Sequence, residues 1–219
     1  MHTELHLIIA NKAYSSWSLR PWLAMRVNGL DFRETVICLG QDATSAEIKR
    51  FSPSGKVPCL KHGDVTVWES LAILDYLAEA YFDRPWWPAD PQARAAARAI
   101  SAEMHAGFQA VRANMPMNVR RSIPGRPRTP EMDNDIARIG HIWRDTRARF
   151  GAGGPFLFGA FSNADAMFAP VVTRFKTYGV ELDAVCHAYC EAILALPAMR
   201  RWYAEAAAEA WVIEKYELS

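Results

Sequence analysis

The chain has 219 residues, 51% of them hydrophobic and 22% charged, with a formal net charge of +1. This length suits one large domain or two small ones, and the apolar content is ample for a packed core. The near-zero charge excludes a global field that would gather nucleic acid or an anionic membrane, and no apolar run approaches the roughly twenty residues of a membrane span.

The opening Met1-His2-Thr3-Glu4-Leu5 lacks the basic region and apolar run of a secretory signal, so a cytoplasmic location is expected. Leu5 to Ala10 is a short apolar run with β-branched Ile8 and Ile9 and reads as a buried strand. Ser15, Ser16 and Ser18 precede a helical pattern through Leu19, Trp22, Leu23, Met25 and Arg26, which Asn28-Gly29 closes. A proline fits a helix in its first turn, so Pro21 points to Ser18 as the N-cap. Phe32 to Leu39 alternates and reads as a second strand, paired parallel with the first through a right-handed crossover. Thr44-Ser45-Ala46-Glu47 has the capping-box pattern of a short helix ending near Ser52-Pro53. Val57 to Leu60 and Val65 to Trp68 read as a hairpin turning at His62-Gly63-Asp64, and helical periodicity follows through Ser70, Ile73, Leu74, Leu77 and Tyr81.

This order is that of a thioredoxin-like α/β domain, assigned to residues 1–83. The proline-rich stretch from Asp83 to Pro91 cannot continue a helix, so 84–91 is a linker. Residues 92–219 read as all-helical: from Gln92 to about Asn118, from about Glu131 to Phe150, and, past a glycine-rich loop, from about Ala164 onward. The expected fold is therefore an α/β domain followed by an all-α domain. Arg120, Arg121, Arg126 and Arg128 are interleaved with Pro124, Gly125, Pro127 and Pro130, which reads as a solvated loop; a rim attracting anionic substrates is the sharper alternative.

Cys38, Cys59, Cys186 and Cys190 form no C-x-x-C pair and no disulfide framework, which points to a reducing compartment. Cys186 and Cys190 lie one helical turn apart beside His187, but no second Cys/His pair completes a metal site, so no metal is expected.

Three short motifs stand in order: Tyr14-Ser15-Ser16-Trp17-Ser18-Leu19-Arg20 after the first strand, Gly55-Lys56-Val57-Pro58 before the hairpin, and Glu69-Ser70 opening the next helix. Together they resemble the serine-type cytosolic glutathione transferases of the zeta-like group. The resemblance implies glutathione as co-substrate, with its thiol held as the nucleophilic thiolate. It maps the catalytic serine onto Ser15, with Ser16 as an adjacent second donor; Tyr14 is a rival, since tyrosine serves other classes. A hydroxyl hydrogen bond and the positive end of a helix are the physical means of stabilising the thiolate.

The resemblance also implies a cis peptide between Val57 and Pro58, which frees the Val57 backbone to pair with the cysteinyl residue of glutathione. Ser70 would hold the γ-glutamyl α-carboxylate, Glu69 its ammonium, and Lys56 a further carboxylate. His105, Phe108, Arg112 and Met115 fall on one face of the first long helix and would line an acceptor pocket between the domains, with core packing the competing role for Phe108 and Met115. Ser162-Asn163-Ala164-Asp165 resembles the family's internal capping box and reads as a folding element.

The implied activity is conjugation of glutathione to small hydrophobic electrophiles, in a homodimer with no nucleic-acid or membrane partner. A glutathione-dependent isomerase or dehalogenase, or a non-catalytic binding module, are the alternatives on this scaffold. Trp17 departs from the zeta pattern, which has cysteine there, and this weakens an isomerase assignment.

Overall fold

The structure is a computed structural model that describes residues 4–217. Four strands, β1 (Leu5–Ala10), β2 (Arg33–Ile37), β3 (Cys59–His62) and β4 (Val65–Trp68), form one sheet in the order β2-β1-β3-β4. β1 pairs parallel with β2 and antiparallel with β3, which pairs antiparallel with β4. All six residues of β1 are buried because both faces of this central strand are covered. Leu5, Leu7 and Ile9 join the main core with helices α1 (Ser16–Val27) and α3 (Ser70–Ala80). Ile8 points the other way, into a smaller cluster with Ile37, Cys59 and Ile48 of α2 (Thr44–Lys49).

Two helix starts differ from the sequence reading. α1 is capped by Ser15, not Ser18, because the Ser18 hydroxyl accepts from the Ala10 amide at 3.1 Å and so ties the turn back to β1. Pro21 consequently sits beyond the first turn, where the helix forgoes a hydrogen bond. Thr44 does not cap α2 either: its hydroxyl donates to the Cys38 carbonyl at 2.6 Å and accepts from the Gln41 amide at 3.0 Å, so it builds the preceding turn.

The helical part comprises α4 (Pro91–Ala106), α5 (Gln109–Asn114), α6 (Pro130–Phe150), α7 (Asn163–Tyr178), α8 (Ala184–Ala195) and α9 (Pro197–Ala208). The expected helix from Gln92 to Asn118 is broken at Gly107-Phe108, where Phe108 has a left-handed φ of 61°. A side chain at 107 would approach the Glu103 carbonyl to 2.9 Å, so glycine is required where the chain leaves α4. α7 is buried on every face and packs on both α1 and α4, which makes it the shared core of the two parts. At its start Asp165 reaches back to the Ser162 amide at 2.8 Å, and Asn163 donates from its backbone to Trp86 and from its side chain to Leu74. Lys12, just after β1, is buried among Trp22, Trp202 and the carboxylates of Glu34 and Glu205, so a paired cation also locks α9 against the sheet.

Candidate active site

The chain leaves β1 through a tight turn in which the Tyr14 and Ser15 amides both donate to the Asn11 carbonyl. This turn delivers Ser15 and Ser16 to the N-terminus of α1, where the helix dipole and the Trp17 amide, which has no partner among the described residues, favour an anion. Ser15 Oγ donates to Ser18 Oγ at 2.7 Å and accepts from the Ser18 amide at 3.4 Å. Among the described residues no hydrogen bond engages the Ser16 hydroxyl, while both serines lie on a cavity wall. The Tyr14 hydroxyl is already spent: it donates to Glu217 at 2.5 Å and accepts from Arg120 and from the Ile213 amide.

Two cavities meet at Trp17, which lines both. The smaller, of about 250 Å³, is completed by Lys56, Val57, Pro58 and Glu69, and the Val57–Pro58 peptide is cis. Four of the residues singled out in the sequence are thus brought together on one wall. The larger, of about 620 Å³, takes in Ser15, Ser16 and the cations Arg112, Arg126, Arg174 and Lys215, with no carboxylate among its described lining residues. Burial, with Arg112 beside it, pushes the Arg174 guanidinium down to about 10, so it remains charged at neutral pH.

The residues expected on one helical face are separated by the break at Phe108. Arg112 does line the larger cavity, although its guanidinium donates to the Gly107 carbonyl at 2.9 Å and to the Met104 carbonyl, which closes the end of α4. Phe108 is drawn into the core instead of the acceptor cavity, and Met115 is buried, its carbonyl accepting from Arg174 Nε at 2.7 Å. His105 stands at the boundary, its ring packed edge-to-face on Trp17 with centroids 5.2 Å apart and its Nε2 3.7 Å from the Glu69 carboxylate. Burial and then Arg20 lower its pKa, against Glu69, which raises it.

Ser70 is wholly buried directly behind Glu69 and accepts a hydrogen bond from Arg20 at 3.3 Å. α3 has no side-chain cap, and Glu69 before it has a left-handed φ of 69°.

Arg120 is not the solvated loop residue expected. It donates to the Glu209 and Trp211 carbonyls, both at 3.0 Å, and to Tyr14, so it anchors the C-terminal segment that carries Lys215 over the larger cavity. Sequence reasoning also passed over Arg20 and Arg174 as site residues. Each is a cation with large apolar neighbours, Leu19 and Trp22 around Arg20 and Val171, Val172 and Phe175 around Arg174, a signal present in the sequence.

Residues 14–80 match the family model "Glutathione S-transferase, N-terminal domain", and residues 129–205 match "Glutathione S-transferase, C-terminal domain". A maleylacetoacetate isomerase of Rattus norvegicus is 29% identical over 176 residues, which cover 77% of this chain and 78% of that protein. A probable maleylacetoacetate isomerase of Caenorhabditis elegans is 36% identical over 95 residues, 43% of this chain and under half (44%) of that protein's length. The crystal structure of a glutathione transferase homologue from Burkholderia, with bound glutathione, superposes with a TM-score of 0.72 at 21% identity, covering 94% of this chain and all of that one.

Proposed function

The chain belongs to the glutathione S-transferase family, and on that premise we propose that it uses glutathione thiolate to attack a small electrophile that itself carries a carboxylate. The observation that carries this reading is the charge of the larger cavity: Arg112, Arg126, Arg174 and Lys215 face the same space as the serine turn. A neutral hydrophobic electrophile makes no use of four cations, whereas an anionic one is both attracted and oriented by them.

Glutathione lies along the smaller cavity, its cysteinyl backbone against Val57 before cis-Pro58, with Glu69 and Ser70 at its γ-glutamyl end and Lys56 near a carboxylate. Its sulfur then reaches the N-terminus of α1. Lowering a thiol pKa by one unit takes about 1.4 kcal/mol, within reach of one hydroxyl donor and a helix terminus. The Ser16 hydroxyl is free to donate at once; Ser15 does so by exchanging its bond to Ser18.

After the thiolate adds to an activated alkene, the carbanion either takes a proton, giving a conjugate, or rotates about the former double bond and expels the thiolate, giving an isomer. The relatives named maleylacetoacetate isomerases favour the second outcome, and the cationic cavity suits such an acid. Trp17 in place of cysteine does not remove either serine from the cavity wall. A homodimer in the cytoplasm is part of the same proposal; no described helix is long and apolar enough to cross a membrane.

The test is turnover with glutathione of maleylacetoacetate against a neutral chloronitrobenzene. We expect the anionic substrate to be isomerised with glutathione unconsumed. A clear preference for the neutral compound overturns the reading, and stoichiometric loss of glutathione on the anionic one returns it to conjugation.

A further inference from the structure

The turn between β1 and the Ser15 cap is held from outside its own domain. The Lys12 and Ala13 amides donate to the two oxygens of the Glu209 carboxylate, at 2.6 and 3.0 Å. The Lys12 carbonyl accepts from Trp202 Nε1 at 2.9 Å, and the Ala13 carbonyl accepts from the Val119 amide at 3.1 Å. Trp202 lies on α9, Glu209 ends that helix, and Val119 lies between α5 and α6. Every backbone polar group of Lys12 and Ala13 is therefore bound by the helical part of the chain.

Glu209 is not there as a counter-ion. Among the described residues it enters no ion pair, and the Lys12 ammonium is paired with Glu34 and Glu205 instead. Two successive amides on one carboxylate form a charge-assisted clamp, stronger than two neutral hydrogen bonds. The next amides, of Tyr14 and Ser15, go to the Asn11 carbonyl, and that of Ser16 goes to the Tyr14 carbonyl. From residue 12 to residue 17 only the Trp17 amide is left without a partner among the described residues, and it follows directly on the two serines.

We propose that Glu209 is a positioning residue for the reaction: its carboxylate clamps the Lys12 and Ala13 amides and so fixes the turn that presents the Ser15 and Ser16 hydroxyls to the glutathione sulfur. This rests on the serine–thiolate reading above. Glu209 lines neither cavity and acts only through the backbone. Its own carbonyl accepts from Arg120 at 3.0 Å, which gives the clamp a fixed base. A displacement of the turn by a fraction of an ångström is felt at the sulfur, because the hydroxyls follow two residues later.

The experiment compares the full chain as wild type, E209Q, E209D and E205Q. Its readouts are the thiolate absorbance of the glutathione complex against pH, turnover of maleylacetoacetate, and the midpoint of chemical denaturation. Glutamine keeps the shape but turns an amino group toward one of the turn amides, donor against donor. Aspartate keeps the charge and falls one methylene short. Losing a negative charge near the turn would by itself favour the thiolate, so in E209Q charge and position act in opposite directions.

We expect the thiol pKa of bound glutathione to rise by about half a unit to one unit in both variants at Glu209. At neutral pH kcat should fall about fivefold to tenfold, with KM for glutathione within about threefold. E205Q takes one carboxylate from Lys12 and leaves the clamp, so it should lower the midpoint without moving the thiol pKa. An unchanged or lowered thiol pKa in both Glu209 variants overturns the proposal, as does a rise in KM with kcat intact. An equal rise in E205Q would mean that any loosening of α9 suffices, which also overturns it. Should E209Q fail to fold, E209D alone decides, since its charge is that of the wild type. A wild type that binds no glutathione, or binds it with the thiol pKa of free solution, refutes the serine–thiolate reading itself, a result distinct from every outcome confined to the Glu209 variants.

Discussion

The N-terminus of α7 is buried throughout, whereas that of α3 opens to the surface around a single buried residue, Ser70, and the two are finished in opposite ways. At α7 the Asp165 carboxylate accepts from the Leu157 amide at 3.1 Å, the Ser162 amide at 2.8 Å and the Ser162 hydroxyl at 3.1 Å, so the turn is sealed by its own residues. At α3 nothing caps the helix, and a guanidinium with two idle donors lies beneath it. A terminus satisfied from within serves folding; one left open is, in our proposal, prepared for a ligand. Substitutions at the two termini should therefore separate stability from binding.

The largest effect is expected at Asp165. Its replacement by alanine strands three buried donors and should cost about 3 kcal/mol or more, read as a lower midpoint in chemical denaturation. Glutathione affinity of the molecules still folded should not change; if it collapses first, the terminus of α7 is not a purely folding element. Burial pushes the Asp165 pKa up to about 6 from an ordinary 3.8. The stability linked to that raised value is fully present below 3.8 and is lost as pH rises through 6. In D165N this part of the pH dependence should vanish.

The serine turn comes next, because there the same side chain caps and, in our proposal, catalyses. S16A should reduce turnover about tenfold to a hundredfold by removing one hydroxyl from the thiolate, with little change in stability. S15A should reduce turnover similarly and also cost about 1 kcal/mol of stability, since Ser15 is the N-cap of α1. The absorbance of bound thiolate against pH decides between them: the variant in which the thiol pKa returns to its free value identifies the direct donor.

In the cationic cavity the effects should be smaller and selective. R126A removes a cavity-lining charge on the loop before α6 and should raise KM for an anionic substrate about fivefold at low ionic strength, an effect that salt diminishes. An equal rise for a neutral substrate would show that Arg126 shapes the cavity and does not attract charge.

These contrasts also mark what could be read before the structure. The succession of strands and helices and the hairpin are legible because each signal is local, apolar alternation and turn residues lying within a few positions of one another, whereas the cis peptide before Pro58 is expected only from the family resemblance. The capping box at Ser162 was legible for the same reason. The start of α1 was misread because Ser18 has the chemistry of a cap but spends it on Ala10, eight residues back. The break at Phe108 had one visible sign, Gly107, and it was outweighed by the alanine-rich pattern on either side. Arg20, Lys12 and Arg120 have partners as far as 50, 193 and 106 positions away, and no short window along the chain contains such pairs.

The smallest effect is expected where the two parts of the chain touch across the site. His105 and Glu69 face each other at 3.7 Å with both side chains partly exposed, a geometry in which an ion pair contributes about 0.5 kcal/mol or less. Burial and Arg20 also lower the His105 pKa, so near neutral pH the ring is largely uncharged and the pair is a contact more than a salt bridge. H105A should accordingly change glutathione affinity by less than about twofold at pH 7. If the affinity of H105A falls much further, Glu69 depends on α4 for its orientation, and the open terminus of α3 is set up by the helical domain.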